Sequence, residues 1–156
     1  MSRMLLSQQA HIVPIIFPQG SAAPTINSDV FSMKDASHAS IVLTIGAVGG
    51  AASFTVVAGS DFTPTAEVAI PYKQAAELST GGDTLGALAD VAAAGTTTAN
   101  TANITYVIEV DAEDMPEGYP NLQLKLADLD NTTYVSAIAV LTGLSYAGDE
   151  SRTQIA

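Results

Sequence analysis

Asn103-Ile-Thr-Tyr-Val-Ile-Glu-Val110 decides how this chain is read. Apolar and polar side chains alternate through it, and Ile, Thr, Tyr and Val are the residues that fit a pleated, half-buried surface. It predicts a β-strand with one face in a core. The same signature recurs on both sides of it. Ser40-Ile-Val-Leu-Thr-Ile45 is β-branched and bounded by turn residues, and Ser53-Phe-Thr-Val-Val-Ala58 returns after Gly46–Ala51. Leu122-Gln-Leu-Lys-Leu126 alternates strictly, and Thr133–Leu141 forms a further strand that is expected to bend at Gly143 and run on to Tyr146.

Weaker segments complete the pattern. Ile12-Val-Pro-Ile-Ile-Phe17 is a short apolar strand candidate in which Pro14 lacks an N–H. That proline implies an edge strand, or an extended segment docked on a partner. Residues 18–30 read as a loop, and Phe31–Lys34 as a short strand closed by the polar patch Asp35–Ser40. The stretch from Ala66 to Tyr72 alternates, with Val68, Ile70 and Tyr72 on one face, and Pro71 marks an edge or a strand end. One helical turn is expected over Lys73–Leu78, ending at Gly81-Gly82. Leu85–Val91 reads as a short strand or irregular segment, and the Ala/Thr/Asn-rich run Ala92–Asn103 as an exposed hairpin tip or long loop.

The prediction is therefore an all-β chain: a single β-sandwich, jelly-roll-like, of about seven or eight antiparallel strands with extended terminal arms. The expected organisation is an N-terminal arm or first edge strand at 1–18, a sandwich at 19–146 and a polar tail at 147–156. At 156 residues the chain suits one domain with a real core.

Composition removes several classes of function. The net charge is −11, and the five basic residues, Arg3, Lys34, Lys73, Lys125 and Arg152, stand singly. Phosphate contact needs clustered Lys or Arg, so no nucleic-acid partner is expected, nor attraction to an anionic membrane. No cysteine is present, which excludes disulfides, thiolate catalysis and Cys-ligated zinc. The N-terminus lacks the pattern of a signal peptide, and no apolar run of transmembrane length occurs. Charged residues are 13% of the chain. A low-charge surface finished with small polar side chains suits a protein covered by neighbours.

No catalytic, cofactor or metal residue is assigned. The densest charge is Glu109, Asp111, Glu113, Asp114 and Glu117. Oxygen ligands of this kind suit calcium, but the spacing fails an EF-hand loop, since Leu122 stands in the twelfth position from Asp111. A solvated loop after a strand is the preferred reading. Asp128-Leu-Asp-Asn131 reads as a turn, because Asp and Asn side chains bond their own backbone. His11 and His38 are the two histidines, and no Gly-x-Ser-x-Gly elbow accompanies them. Each is read as a polar residue at a strand boundary. Gly46-Ala-Val-Gly-Gly50 lacks the Lys-Ser/Thr of a phosphate loop. An enzyme is the least expected class.

Phe31-Ser-Met-Lys-Asp-Ala-Ser-His38 and the strand Ile41–Ile45 resemble a family of tailed-bacteriophage virion proteins. The likeness continues through Gly82-Asp-Thr-Leu85, Tyr106-Val-Ile-Glu-Val-Asp111, Tyr119 and Val135-Ser-Ala-Ile138, and covers residues 29–142. An Arg-Tyr pair follows the last strand in the family pattern; here Leu144-Ser-Tyr146 stands in that place without an Arg. The resemblance implies a capsid decoration, or cement, protein. Such a protein is made in the host cytoplasm, sits on the outer surface of the head and clamps neighbouring major capsid protein subunits. An acidic chain would be repelled by packaged DNA, which agrees with an exterior position. Partner contact is expected from Ile12, Val13, Ile15, Ile16 and Phe17, which by pattern alone serve equally as a first core strand. A homo-oligomer, dimer or trimer, is expected. The alternatives are a tail or head–tail connector subunit, and a carbohydrate-binding host-adhesion module with Ala92–Asn103 as its tip.

Overall fold

A computed structural model describes residues 5–63, 65–145 and 155. The last strand ends at Thr142 and 143–145 are not strand, so the expected run beyond Gly143 is not made there; Tyr146, most of the expected tail at 147–156, and Pro64 lie outside the described residues.

The chain folds as a β-sandwich. Its long strands are β1 (His11–Gly20), β4 (His38–Ile45), β5 (Ser53–Gly59), β7 (Tyr72–Glu77), β10 (Ile104–Asp111), β11 (Asn121–Ala127) and β12 (Tyr134–Thr142). Five short strands of two or three residues join them: β2 (Ile26–Asn27), β3 (Phe31–Ser32), β6 (Glu67–Ala69), β8 (Ala89–Val91) and β9 (Thr96–Thr97). The described helical structure is one α-turn, α1 (Leu6–Gln9), and one 3₁₀ turn (Ala112–Asp114). No helix among the described residues is long and apolar enough to cross a membrane.

One sheet has the order β1-β12-β4-β10-β7-β8, and the other the order β2-β11-β5-β6, with β3 also on β11 and β9 also on β5. Neighbouring strands pair antiparallel, and consecutive long strands repeatedly change sheet. That wrapping is the jelly-roll pattern.

Alternation explains the packing. In β10, Ile104, Tyr106, Ile108 and Val110 are buried while Thr105, Val107, Glu109 and Asp111 are partly exposed. In β4, Ala39, Ile41, Leu43 and Ile45 turn inward. Opposite them stand Phe54 and Val56 of β5 and Leu122, Leu124 and Leu126 of β11, all essentially without solvent contact. At the centre, the Phe54 ring meets Tyr106 edge-on at 5.1 Å between centroids and stacks with Tyr72 at 6.2 Å. Edge-on and offset aromatic pairs add about 0.5–1.5 kcal/mol beyond their burial.

Pro14 lies on an edge strand, as its missing N–H requires, and β1 carries register shifts between Pro14 and Ile16 and between Ile16 and Gln19. A proline and two irregularities also blunt this edge against unwanted pairing. Ile155 forms an antiparallel bridge with Phe31, on the sheet that holds β11.

Four further expectations are corrected. Lys73–Leu78 is not a helical turn: Tyr72–Glu77 is a strand hydrogen-bonded to β10, and ladder formation overrides the helix propensity of Gln, Ala and Glu. Ala66–Tyr72 is not one strand; β6 belongs to one sheet and β7 to the other, with Ile70-Pro71 at the crossing. Residues 18–30 are not wholly loop, since β1 continues to Gly20 and Ile26–Asn27 pairs with β11. Ala92–Asn103 is not a free tip. Thr96–Thr97 pairs with β5, the buried Thr98 accepts a bond from Ala52 N at 2.9 Å, and Ala99 N donates to the Tyr106 hydroxyl at 2.9 Å.

Candidate functional site

A cleft with a volume of about 660 Å³ lies where the ends of β4, β10, β7 and β8 meet. Its polar wall is His38, Lys73, Asp90, Glu109, Asp111 and Asp114, and its apolar wall includes Pro71, Tyr72, Leu88 and Val91. The fold positions these groups by register. Antiparallel pairing sets His38 opposite Asp111 and Ser40 opposite Glu109 on the outer face of the sheet that runs from β1 to β8. Lys73 stands opposite Glu109 on one side and Asp90 on the other.

All of these polar groups except Asp114 have a hydrogen-bonding partner. His38 Nδ1 lies 2.6 Å from Asp111 Oδ1 and Nε2 lies 2.8 Å from Glu109 Oε2. The imidazolium, with both nitrogens as donors, satisfies both carboxylates at once. Burial pulls the His38 pKa down, but the hydrogen bonds and charges of Asp111 and Glu109 outweigh it, and the net direction is up from 6.5. Ser40 Oγ donates to the same Glu109 oxygen at 2.5 Å. Lys73 Nζ donates to Asp90 at 3.0 Å, and this pair holds the Lys73 ammonium above its ordinary range.

This arrangement does not make Ser40 a nucleophile. A base must take the hydroxyl proton and be oriented by a third group. Here the Ser40 proton is directed to a carboxylate, and both nitrogens of His38 are engaged elsewhere. Tyr72 is buried, so it offers no exposed ring for a sugar to stack upon, and burial raises its hydroxyl pKa.

The acidic cluster of the sequence is divided by the fold. Glu109 and Asp111 belong to the His38 clasp, whereas Glu113, Asp114 and Glu117 are exposed on the following turn and loop. Among the described residues no group of three or more His, Asp or Glu side chains is placed to hold a metal ion. Asp130 acts within its turn: its Oδ1 accepts from Thr132 N at 2.9 Å and Thr132 Oγ1 at 2.8 Å, and these bonds lower its pKa, whereas Asp128 reaches across to β5 and accepts from Ser53 Oγ at 2.9 Å. His11 lies partly buried at the start of β1.

The five residues expected to contact a partner separate by face. Val13, Ile15 and Ile16 are core residues at 3%, 2% and 4% exposure, as a first core strand requires. Ile12 and Phe17 point away, at 43% and 66% exposure.

The His38 clasp was not read from the sequence. Its signal was available: once the strands at 38–45 and 104–111 are paired, His38 meets Asp111 and Ser40 meets Glu109 in the same register. Counting His38 in a polar patch outside the strand concealed it.

No protein-family model matches the chain, and no curated protein matches it in sequence. Among solved structures, it is similar to the SPBc2 prophage-derived protein YomS, with 13% identity, a TM-score of 0.46, and coverage of 84% of this chain and 92% of that one. It is also similar to a chain of infectious bursal disease virus, Gt strain, with 12% identity, a TM-score of 0.25, and coverage of 85% of this chain and 39% of that one. A mutant VP2 protein of the same virus, in derived T=1 particles, matches with 11% identity and a TM-score of 0.29, over 94% of this chain and 42% of that one. The chain therefore spans about two fifths of the length of those viral chains.

Proposed function

We propose that this protein is a structural component of a bacteriophage particle, a capsid decoration protein that binds the outer surface of the head and joins neighbouring major capsid protein subunits. The virion setting rests on the sequence resemblance over residues 29–142. The structural observation that supports a binding body over a catalyst is the His38 clasp, where the groups best suited to chemistry are committed to one another. Apolar side chains are also left on the outside. Phe17, at 66% exposure on an edge strand, is the proposed contact with the shell.

Burying a side chain of this size is worth roughly 1.5–3 kcal/mol, and binding the assembled lattice in preference to free subunits would stabilise the lattice by mass action. The net charge of −11 favours a position away from packaged DNA.

The test is the location and copy number of the protein in purified particles. High copy number on tailless heads, and loss of heat resistance in heads lacking the protein, are the expected results. Recovery with tails alone would replace this reading with that of a tail or connector subunit. A Phe17→Ser variant should bind heads more weakly while keeping its fold.

A further inference from the structure

A second cleft, of about 350 Å³, opens on the outer face of the sheet that runs from β1 to β8, at the strand end away from His38. Register builds it. Gly20 of β1 stands opposite Tyr134 of β12, and Ser136 of β12 stands opposite Thr44 of β4. Pro18, Gln19 and Gly46 also line it. Tyr134 is 59% exposed, yet its backbone is held: its N–H donates to Ala47 O at 3.1 Å and its carbonyl accepts from Gly46 N at 2.8 Å. Gly20 leaves room for the ring, since a Cβ there would lie 3.2 Å from it. The ring therefore stands on a fixed backbone before any ligand arrives, which lowers the cost of binding.

The two clefts differ in their polar groups. Around His38 the side chains are bonded to one another, whereas the hydroxyls of Tyr134, Ser136 and Thr44 make no hydrogen bond among the described residues. The second cleft also carries no charge. The chain has 5 basic and 16 acidic residues, and none of them lies within residues 4–28 or 131–148, the stretches that supply β1 and β12.

We propose that this cleft binds a neutral saccharide, with the apolar C–H face of a sugar ring on Tyr134 and sugar hydroxyls bonded to Ser136 and Thr44. Each property of the site selects one property of the ligand. The face of an aromatic ring is electron-rich and attracts the weakly positive C–H face of a pyranose. A wholly apolar ligand would displace water from the two hydroxyls and leave them unpaired, which costs free energy. A phosphate or carboxylate would meet no cation here and the field of a chain of charge −11. The volume lies near the lower end of the roughly 300–1,000 Å³ of small-ligand sites, which suits the end of a glycan. The Ala92–Asn103 loop takes no part in this cleft. Phe17, the proposed shell contact, does not line it either, so the inference stands apart from the virion reading.

An array of neutral and acidic glycans probed with the full chain tests it. Retention of neutral glycans is expected, and the preferred one is then titrated by calorimetry. Tyr134→Ala should raise its dissociation constant by at least about tenfold with an unchanged circular dichroism spectrum, whereas Tyr134→Phe keeps the ring and should lose much less. Thr44→Val keeps a β-branched side chain, removes the hydroxyl and should raise the constant about two- to tenfold. Added salt should leave the affinity unchanged, because no charge takes part. Retention of no neutral glycan overturns the proposal. So does a preference for acidic glycans that weakens with salt. A neutral glycan whose binding is indifferent to both Tyr134→Ala and Thr44→Val overturns it as well, and should Tyr134→Ala unfold, Thr44→Val decides alone.

Discussion

His38 and Asp111 face each other at the final register position of the β4–β10 ladder, with imidazole Nδ1 2.6 Å from the carboxylate. Glu109 closes the other side of the ring at 2.8 Å. The pKa of His38 is raised in the folded chain, so its stabilising contribution is complete below its ordinary value of 6.5 and fades as pH rises through the raised value. Urea midpoints of the wild type and a His38→Gln variant, taken from about pH 5.5 to about pH 8.5, should differ most at the acid end and converge at the alkaline end. Parallel curves would remove the clasp as a source of pH dependence.

Glu77 organises the segment after β7. Its carboxylate accepts from Ser79 N at 2.6 Å and Thr84 N at 2.8 Å, and these bonds lower its pKa. Gly82 lies so close that a Cβ there would meet the carboxylate at 2.5 Å. Glu77→Ala should speed hydrogen exchange at the Ser79 and Thr84 amides while leaving the β4 and β10 amides slow. The stabilising effect of the carboxylate is present above its ordinary value of 4.5 and is lost as pH falls through the lowered one, so protection of those two amides should fall in acid. Unaltered protection in the variant would mean that the loop is held by other contacts.

What the sequence revealed follows from how many residues enforced each feature. Ile104 to Asp111 alternate over a full strand, and every second side chain needs a core, so the sandwich was legible. Tyr72–Glu77 was misread because Lys, Gln, Ala and Glu are helix formers; their strand state comes from β10, thirty residues on, which a local reading does not include. A longer separation, 73 residues between His38 and Asp111, hid the clasp. His38, Glu109 and Asp111 have meaning only in a register that joins two remote strands.

Gly95 has φ +86°, and a Cβ added there would lie 2.2 Å from Phe54 O. The turn it makes, closed by its N–H on Ala92 O at 2.9 Å, delivers Thr96 and Thr97 to the β5 edge. A left-handed conformation costs an L-residue roughly 1–2 kcal/mol, and the backbone clash adds to it. Gly95→Ala should therefore lower the unfolding free energy by more than about 1 kcal/mol, seen as a lower urea midpoint at unchanged slope. Gly50, where a Cβ meets nothing within 4 Å, serves as the control, and Gly50→Ala should have a much smaller effect.

Phe54 joins the two sheets. It lies on β5 with 1% exposure and touches the rings of Tyr72 and Tyr106, which belong to the opposite sheet. Phe54→Ala should cost about 3–5 kcal/mol, because the cavity forms between two rigid sheets that cannot close over it. Phe54→Leu retains most of the volume and should cost less, losing chiefly the ring pairs. Both tyrosine hydroxyls depend on the same packing: Tyr72 donates to Thr96 at 3.2 Å, and Tyr106 accepts from Ala99 N at 2.9 Å. The alanine variant should therefore also accelerate hydrogen exchange at the Ala99 amide, a signature that cavity formation elsewhere in the core would not produce. Equal losses in the two variants would show that the ring contacts, more than the filled volume, hold the sheets together.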